Sequence, residues 1–252
     1  MASRDLDDNT ALITGGGRGI GRAISLRLAR RGANVIVGYL RNRDAAEETC
    51  RLAEEESVKA LAVRANVGDE SHIDALFDQI DEAFGRLDVL VSNAATGVIR
   101  GLDGLDARAW AWTMDANARA LLLCSRRAVP LMADGGSIVA LSSLGSHRVL
   151  PGYMVVGASK AAIESLSRYL AVELAPKGIR VNVVSPGVVD TDALRHFPQR
   201  REMIEEALAK TPAGRLATPD DVARAVDFLT SEDASMITGH TLVIDGGVSL
   251  LA

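Results

Sequence analysis

The sequence predicts an α/β protein: one doubly wound parallel sheet with helices on both faces. Two observations carry this. Short apolar runs of strand length alternate with stretches of helical periodicity through all 252 residues. The residues able to do chemistry fall just after the strands, where open parallel sheets bind their ligands. Right-handed crossovers between successive strands then build a single sheet. No linker, composition shift or internal repeat divides the chain, so one domain is expected over residues 1–252, with a substrate lid at about 191–215.

The elements follow in order. Ala11-Leu12-Ile13 is a short buried strand, and a helix runs to about Arg31. Between them lies Thr14-Gly15-Gly16-Gly17-Arg18-Gly19-Ile20-Gly21. Glycines at 15, 17, 19 and 21 let the backbone approach a pyrophosphate, and the helix start offers free N–H groups. Glycines also make plain tight turns, and it is the strand–turn–helix setting that points to a dinucleotide. The second strand is Asn34 to Tyr39. At its end, where an NAD enzyme usually carries an acid for the ribose, stands Tyr39-Leu40-Arg41-Asn42-Arg43. An arginine can grip a 2′-phosphate, so NADPH is expected over NADH, with Arg41 and Arg18 as phosphate ligands. The alternative is that Arg41 and Arg43 are solvated charges at a helix start.

A charged helix from Arg43 to Glu56 leads to a strand from Val58 to Val63, then to Asn66 and Val67. Asn66 can bond an adenine edge or form a turn. A helix from Ser71 to Phe84 precedes the strand Asp88 to Val91. Asn93-Ala94-Ala95 follow it, small enough for backbone to lie against a ribose. Ala107 to Met132 reads as one long helix. Asn117 inside it has poor helical propensity and so a packing or hydrogen-bonding reason for its place. Gly136 to Ser143 is the fifth strand. After a helix from Met154, Ile179 to Val184 is the sixth, leaving through Pro186, Gly187, Val188 and Thr191. Thr191 to Leu208 is expected to be helical and mobile above the site. A helix from Pro219 to Thr230 and a strand from Thr241 to Ile244 complete the chain.

Composition narrows the function. With 28 basic and 33 acidic residues the chain is mildly acidic, which argues against nonspecific nucleic-acid binding. Cys50 and Cys124 are too few for a disulfide framework and read as buried free thiols of a reducing compartment. The polar N-terminus, with no apolar run of membrane length, points to a cytoplasmic protein without membrane attachment. No His/Cys/Asp spacing suggests a metal site; His147, between Ser143 and Tyr153, reads as an exposed loop histidine rather than a catalytic one, and His72 and His240 carry no signal.

The stretch from Ser142 to Lys160 holds most of the chemistry. Pro151 and Gly152 break the backbone before Tyr153, and Lys160 lies seven residues on, about two helical turns. A lysine near a phenol is expected to lower the phenol's pKa and make it a better proton donor to an oxyanion. An ordinary amphipathic helix with an exposed lysine is the alternative.

Taken together, Thr14 to Gly21, Asn93-Ala94-Ala95, Asn117, Ser143, the Tyr153/Lys160 pair, Pro186-Gly187 with Thr191, and Asp245-Gly246-Gly247 resemble the classical short-chain dehydrogenase/reductase family over the whole chain. The resemblance implies a Rossmann fold. It implies catalytic roles for Tyr153, Lys160, Ser143 and Asn117, with Asn117 holding a water near Lys160. It also implies a homotetramer formed through the helices 107–132 and 154–175, which carry apolar residues on more than one face. There is one departure. The family's Tyr-x3-Lys would need tyrosine at 156, where this chain has Val156; Tyr153 gives Tyr-x6-Lys. That spacing resembles the family's enoyl-thioester reductases, and finer likenesses at Ala65-Asn66-Val67, Trp112-Thr113-Met114, His196-Phe197-Pro198 and Thr211 to Arg215 are to its type III enoyl-acyl-carrier-protein reductases.

The shift has a chemical sense. In ketone reduction hydride goes to the carbon bearing the oxygen. In enoyl reduction it goes to the β-carbon, and charge develops on the thioester oxygen two bonds further along. Moving the phenol back about one turn, roughly 5 Å, is the corresponding change. The leading expectation is NADPH-dependent reduction of trans-2-enoyl thioesters on acyl carrier protein or coenzyme A. A carbonyl reductase and a noncatalytic NADPH-binding scaffold are the alternatives. Arg195, His196, Arg200 and Arg201 on the lid either meet an acidic carrier protein or coenzyme A phosphates, or form a solvated face.

Overall fold

In the computed structural model, which describes residues 6–191 and 200–251, every strand pairs in parallel. The strands are β1 (Thr10–Thr14), β2 (Asn34–Tyr39), β3 (Ala60–Arg64), β4 (Val89–Ser92), β5 (Gly136–Leu141), β6 (Ile179–Pro186) and β7 (Thr241–Ile244). Their order in the sheet is β3-β2-β1-β4-β5-β6-β7. The chain winds outward from β1 in one direction and from β4 in the other. The crevice beyond the carboxyl ends of β1 and β4 is therefore the topological switch point.

Alternation along each strand divides the core into two layers. Leu12, Ile36, Leu90, Ile138 and Val181 meet the apolar sides of α3 (Glu70–Phe84), α5 (Ala120–Ala128) and α6 (Met154–Leu174), among them Phe77, Leu121 and Ile163. Ile13, Val35, Val37, Val91 and Val139 face the other way. They pack on α1 (Gly19–Arg30), α2 (Arg43–Glu54) and α8 (Pro219–Thr230) through Ile24, Leu28, Ala46 and Val226. Both faces being covered, the strands read as continuous apolar runs. The two thiols lie in these layers, free and buried. Burial pushes Cys50 up to about 11 and Cys124 up to about 12, so neither is a thiolate near neutral pH. Asp227, also buried, draws Arg27 (2.7 Å) and Arg31 onto α8, fastening α8 to α1.

The expected elements are present, several with ends shifted by two residues. β3 begins at Ala60, two residues later than the apolar pattern suggests. The single helix expected over 107–132 is three pieces: α4 (Ala107–Met114), a π-helical turn (Asp115–Arg119), and α5 with a short 3₁₀ turn to Leu131. The wide turn falls on Asn117, for a reason found in its hydrogen bonds below. Of the expected lid helix, α7 (Arg200–Lys210) is described, while Arg195, His196 and residues 192–199 generally lie outside the described residues. Arg201 bonds Glu205 within α7 at 2.8 Å, and Ala213 donates to the Gly246 carbonyl, fixing the far end of this segment on the C-terminal turn. Among the described residues no helix is long and apolar enough to cross a membrane.

Candidate active site

The crevice has a glycine floor. Gly15 and Gly19 have φ of +67° and +53°, a region that side-chain-bearing residues rarely adopt. A Cβ on Gly21 would stand 2.1 Å from the Gly15 carbonyl oxygen, and one on Gly17 would stand 3.1 Å from the backbone of Ala46. The loop is held from behind by Arg22, which donates to the Gly17 carbonyl (3.1 Å), Thr49 Oγ1 (2.8 Å) and the Ala45 carbonyl (2.9 Å). It is held from the side by Asn93, which donates through Nδ2 to the carbonyls of Thr14 (2.8 Å) and Gly15 (3.2 Å). Thr14 Oγ1 accepts from the backbone N–H groups of Asn93 and Ala94, both at 3.0 Å. Arg22 and Thr49 thus support the cradle without any mark of spacing or residue type in the sequence, while Thr14 opens the glycine motif itself.

α1 begins without a capping side chain and without an acidic residue in its first turn. Its N–H groups suit an anion. Arg18 at the N-cap is exposed, Ile20 is half-buried behind it, and Thr191 after β6 approaches Gly19 to 3.8 Å measured from an ideal Cβ. Pro186 is buried at the end of β6, and Gly187 lies so close to Asp245 that a Cβ would meet it at 3.0 Å; Val188 is half-buried beyond. Tyr39 ends β2 half-buried. Arg41 after it is exposed, whereas Arg43 pairs with Glu47 at 2.6 Å inside α2. Asn66 closes a turn: its Oδ1 accepts from Gly68 N–H at 3.2 Å, with Val67 half-buried beside it and Ala95 exposed across the crevice. The cradle and the open helix end fit a dinucleotide pyrophosphate.

The reactive groups gather at the end of β5, where three successive residues each receive one group from α6 or its N-cap. Leu141 accepts from Lys160 Nζ at 2.8 Å, through its carbonyl. Ser142 Oγ donates to Glu164 Oε1 at 2.5 Å, and Ser143 Oγ lies 3.4 Å from the Tyr153 hydroxyl. Tyr153 itself is the N-cap of α6, its carbonyl accepting from Gly157 N–H at 2.7 Å. Its ring lies on Gly145, where a Cβ would be 2.6 Å from the ring edge. Val156 is buried one turn later, its methyl filling space beside Gly97. The chain's other tyrosines are at the end of β2 (Tyr39) and on the exposed side of α6 (Tyr169), so Tyr153 is the one phenol at this site. The ring of exposed His147 meets Ser146 Oγ next to it.

One expectation needs correcting. Lys160 does not depress the Tyr153 phenol. Burial pushes the phenol's pKa up, and the opposing pull comes from Ser143. The amine is occupied at Leu141, and burial pulls it down to about 8 against the charge of Glu164. The Asn117 side chain joins two segments of the chain. Nδ2 donates to Ser159 Oγ (2.8 Å) and the Thr96 carbonyl (3.0 Å), and Oδ1 accepts from Thr96 N–H (2.9 Å). That clamp, in the residue before Lys160, ties the loop after β4 to α6. A π-helical turn is a common device for delivering such a side chain.

Apolar side chains rim the opening. Val149 (97 % exposed), Leu150 and Met154 flank Tyr153. Arg148 donates to the carbonyls of Ser249 and Leu251 (3.0 Å for the second), bringing exposed Leu250 and Leu251 alongside. Among the described residues no group of His, Cys, Asp and Glu is arranged to hold a metal ion.

Comparison with known proteins agrees with this geometry. A family model described as Enoyl-(Acyl carrier protein) reductase matches residues 15–249. The chain is 44 % identical over 244 residues to a 1-cyclohexenylcarbonyl-CoA reductase of Streptomyces collinus, covering 96 % of this chain and 87 % of that one. It is 34 % identical to the trihydroxynaphthalene reductase PfmaI of Pestalotiopsis fici, over 98 % of this chain and 91 % of that one. Among solved structures, a 7α-hydroxysteroid dehydrogenase complexed with NADH and 7-oxo glycochenodeoxycholic acid superposes with a TM-score of 0.91. It shares 33 % identity over 97 % of this chain and 96 % of that one.

Gly21→Ala tests the cradle. Its Cβ must displace the Gly15 carbonyl, and misplacement by about 1 Å costs on the order of a hundredfold. Dinucleotide affinity, read by quenching of intrinsic fluorescence, is expected to fall by roughly that factor; unchanged affinity would move the cofactor elsewhere.

Proposed function

The chain belongs to the short-chain dehydrogenase/reductase family of nicotinamide-dependent oxidoreductases, and from that premise we propose that it reduces the carbon–carbon double bond of 2-enoyl thioesters with NADPH. The observation that carries the reading is the position of the phenol. Val156 offers no proton where the family's tyrosine would stand, while Tyr153, one turn earlier, reaches Ser143 at the end of β5.

The chemistry follows from that position. NADPH, when bound, supplies the hydride that the β-carbon takes up. Negative charge then accumulates on the thioester oxygen. Tyr153, kept protonated by burial, donates to that oxygen and stabilises the enolate. The α-carbon completes the reduction by taking a proton from solvent. Ser143 holds the phenol. Lys160, anchored at Leu141, keeps N–H groups for the nicotinamide ribose, and Asn117 fixes the loop that closes this side of the crevice. The apolar rim suits an acyl group. The relative from Streptomyces collinus supports this substrate class, since in 1-cyclohexenylcarbonyl-CoA the double bond is conjugated to a thioester carbonyl. Either coenzyme A or an acyl carrier protein is a suitable carrier.

A second reading, reduction of a ketone, is favoured by the trihydroxynaphthalene reductase among the relatives. The preference for NADPH rests on exposed Arg41 at the end of β2, with no acid beside it, and on Arg18. We further infer a homotetramer, supported by exposed Tyr169 and Val172 on α6 and by Trp110, Trp112 and Leu122 on α4 and α5. The buried free thiols support a reducing, cytoplasmic setting.

Assayed side by side, crotonyl-coenzyme A is expected to oxidise NADPH and acetoacetyl-coenzyme A is not. Tyr153→Phe is expected to lower turnover about a hundredfold with NADPH binding intact; turnover of the keto substrate alone would establish the second reading. Arg41→Ala is expected to raise the KM for NADPH roughly tenfold and leave that for NADH unchanged. Equal efficiency of the wild type with both cofactors would remove the phosphate-binding role. On a sizing column the protein is expected to run as a tetramer, and a monomer alone would overturn the assembly.

A further inference from the structure

Lys160 poses a problem that its neighbours solve. An ammonium taken out of water loses hydration, and a single backbone carbonyl returns only part of it. The Leu141 carbonyl is its one hydrogen-bond acceptor among the described residues. The groups on either side of it in the chain bring no charge: Ser159 is held by the Asn117 amide, and burial keeps the Tyr153 phenol neutral. One carboxylate acts on the amine, Glu164, a turn further along the same face of α6.

Glu164 is not left to its own conformational freedom. A half-buried glutamate on a helix ordinarily extends toward water, but here the hydroxyl of buried Ser142 donates to Oε1 at 2.5 Å. A charge-assisted hydrogen bond of that length fixes the carboxylate. The strand that takes the Lys160 proton donor at residue 141 therefore also holds its counter-charge at residue 142.

We propose that Glu164, oriented by Ser142, is a positioning residue that keeps Lys160 protonated at the end of β5, and thereby leaves it two further N–H donors for the ligand. The role deepens the reading that Lys160 serves a reductase site, but the fate of the Lys160 proton can be read without any substrate. The negative charge favours the ammonium; without it, burial acts unopposed and the amine loses its proton at lower pH.

The chain has four lysines, Lys59, Lys160, Lys177 and Lys210, so a protein labelled with ¹³C at lysine Cε gives a countable set of signals. In the wild type the Lys160 signal, assigned by its loss in Lys160→Met, is expected to titrate near pH 8. In Glu164→Gln the midpoint is expected to fall by about one pH unit, and in Ser142→Ala by a smaller amount. The midpoint of NADPH binding against pH is expected to move down in the same order. Unchanged or raised Lys160 midpoints in both variants would overturn the proposal. If Glu164→Gln does not fold, Ser142→Ala decides it by the same signal. A protein inactive on enoyl thioesters but showing these shifts would refute the proposed substrate and leave the role of Glu164 standing.

Discussion

A buried ammonium must find oxygen, and the carbonyl of Leu141 provides it for Lys160 at 2.8 Å. This contact sets how α6 lies against the sheet. Once Lys160 is fixed there, the turn after it brings Glu164 to Ser142, and the chain before it brings Tyr153 to Ser143. Three adjacent positions at one strand end thus define the register of a 21-residue helix. The same register buries Val156 beside Gly97 and leaves Tyr153 facing the crevice. The identity of the proton donor follows from packing that begins with a backbone carbonyl.

The glycine cradle is joined to this strand end through the switch point. Thr14 and Asn93 bond the end of β1 to the end of β4, and Asn117 bonds the loop that leaves β4 to Ser159, next to Lys160. Hydrogen bonds and short stretches of backbone together therefore connect the turn that fits pyrophosphate to the helix that carries the amine. The cost of such a connection is several buried polar groups, and nearly all are paired. Burial then acts in opposite senses on the two reactive groups. It holds the phenol in its protonated form and presses the lysine toward losing its proton, so only the lysine needs a counter-charge.

Much of this was legible in the sequence because it rests on local rules. Alternation along Leu12-Ile13 and Val35-Ile36-Val37 encodes which layer each residue enters, and glycines after a strand encode the cradle. The Tyr153/Lys160 spacing encodes a shared destination. What escaped depended on partners distant in sequence. Asn117 looked like a misfit in a helix; only the position of Thr96 explains the π-helical turn and the clamp. The direction of the Tyr153 shift is set by burial, which the spacing of Tyr153 and Lys160 does not reveal. Glu164 carried a visible signal, four residues after Lys160, but its meaning depends on Ser142 arriving from β5. The turn-forming alternative for Asn66 matches its bond to Gly68, which spacing alone could not decide.

The central claim is that a phenol placed at residue 153 goes with hydride transfer to the β-carbon. Its most direct test is to follow the hydride. With NADPH deuterated at the transferring position and crotonyl-coenzyme A as substrate, the butyryl product would be examined by mass spectrometry and NMR. The account predicts one deuterium, at the β-carbon. Deuterium at the α-carbon, or a product carrying none, would contradict it.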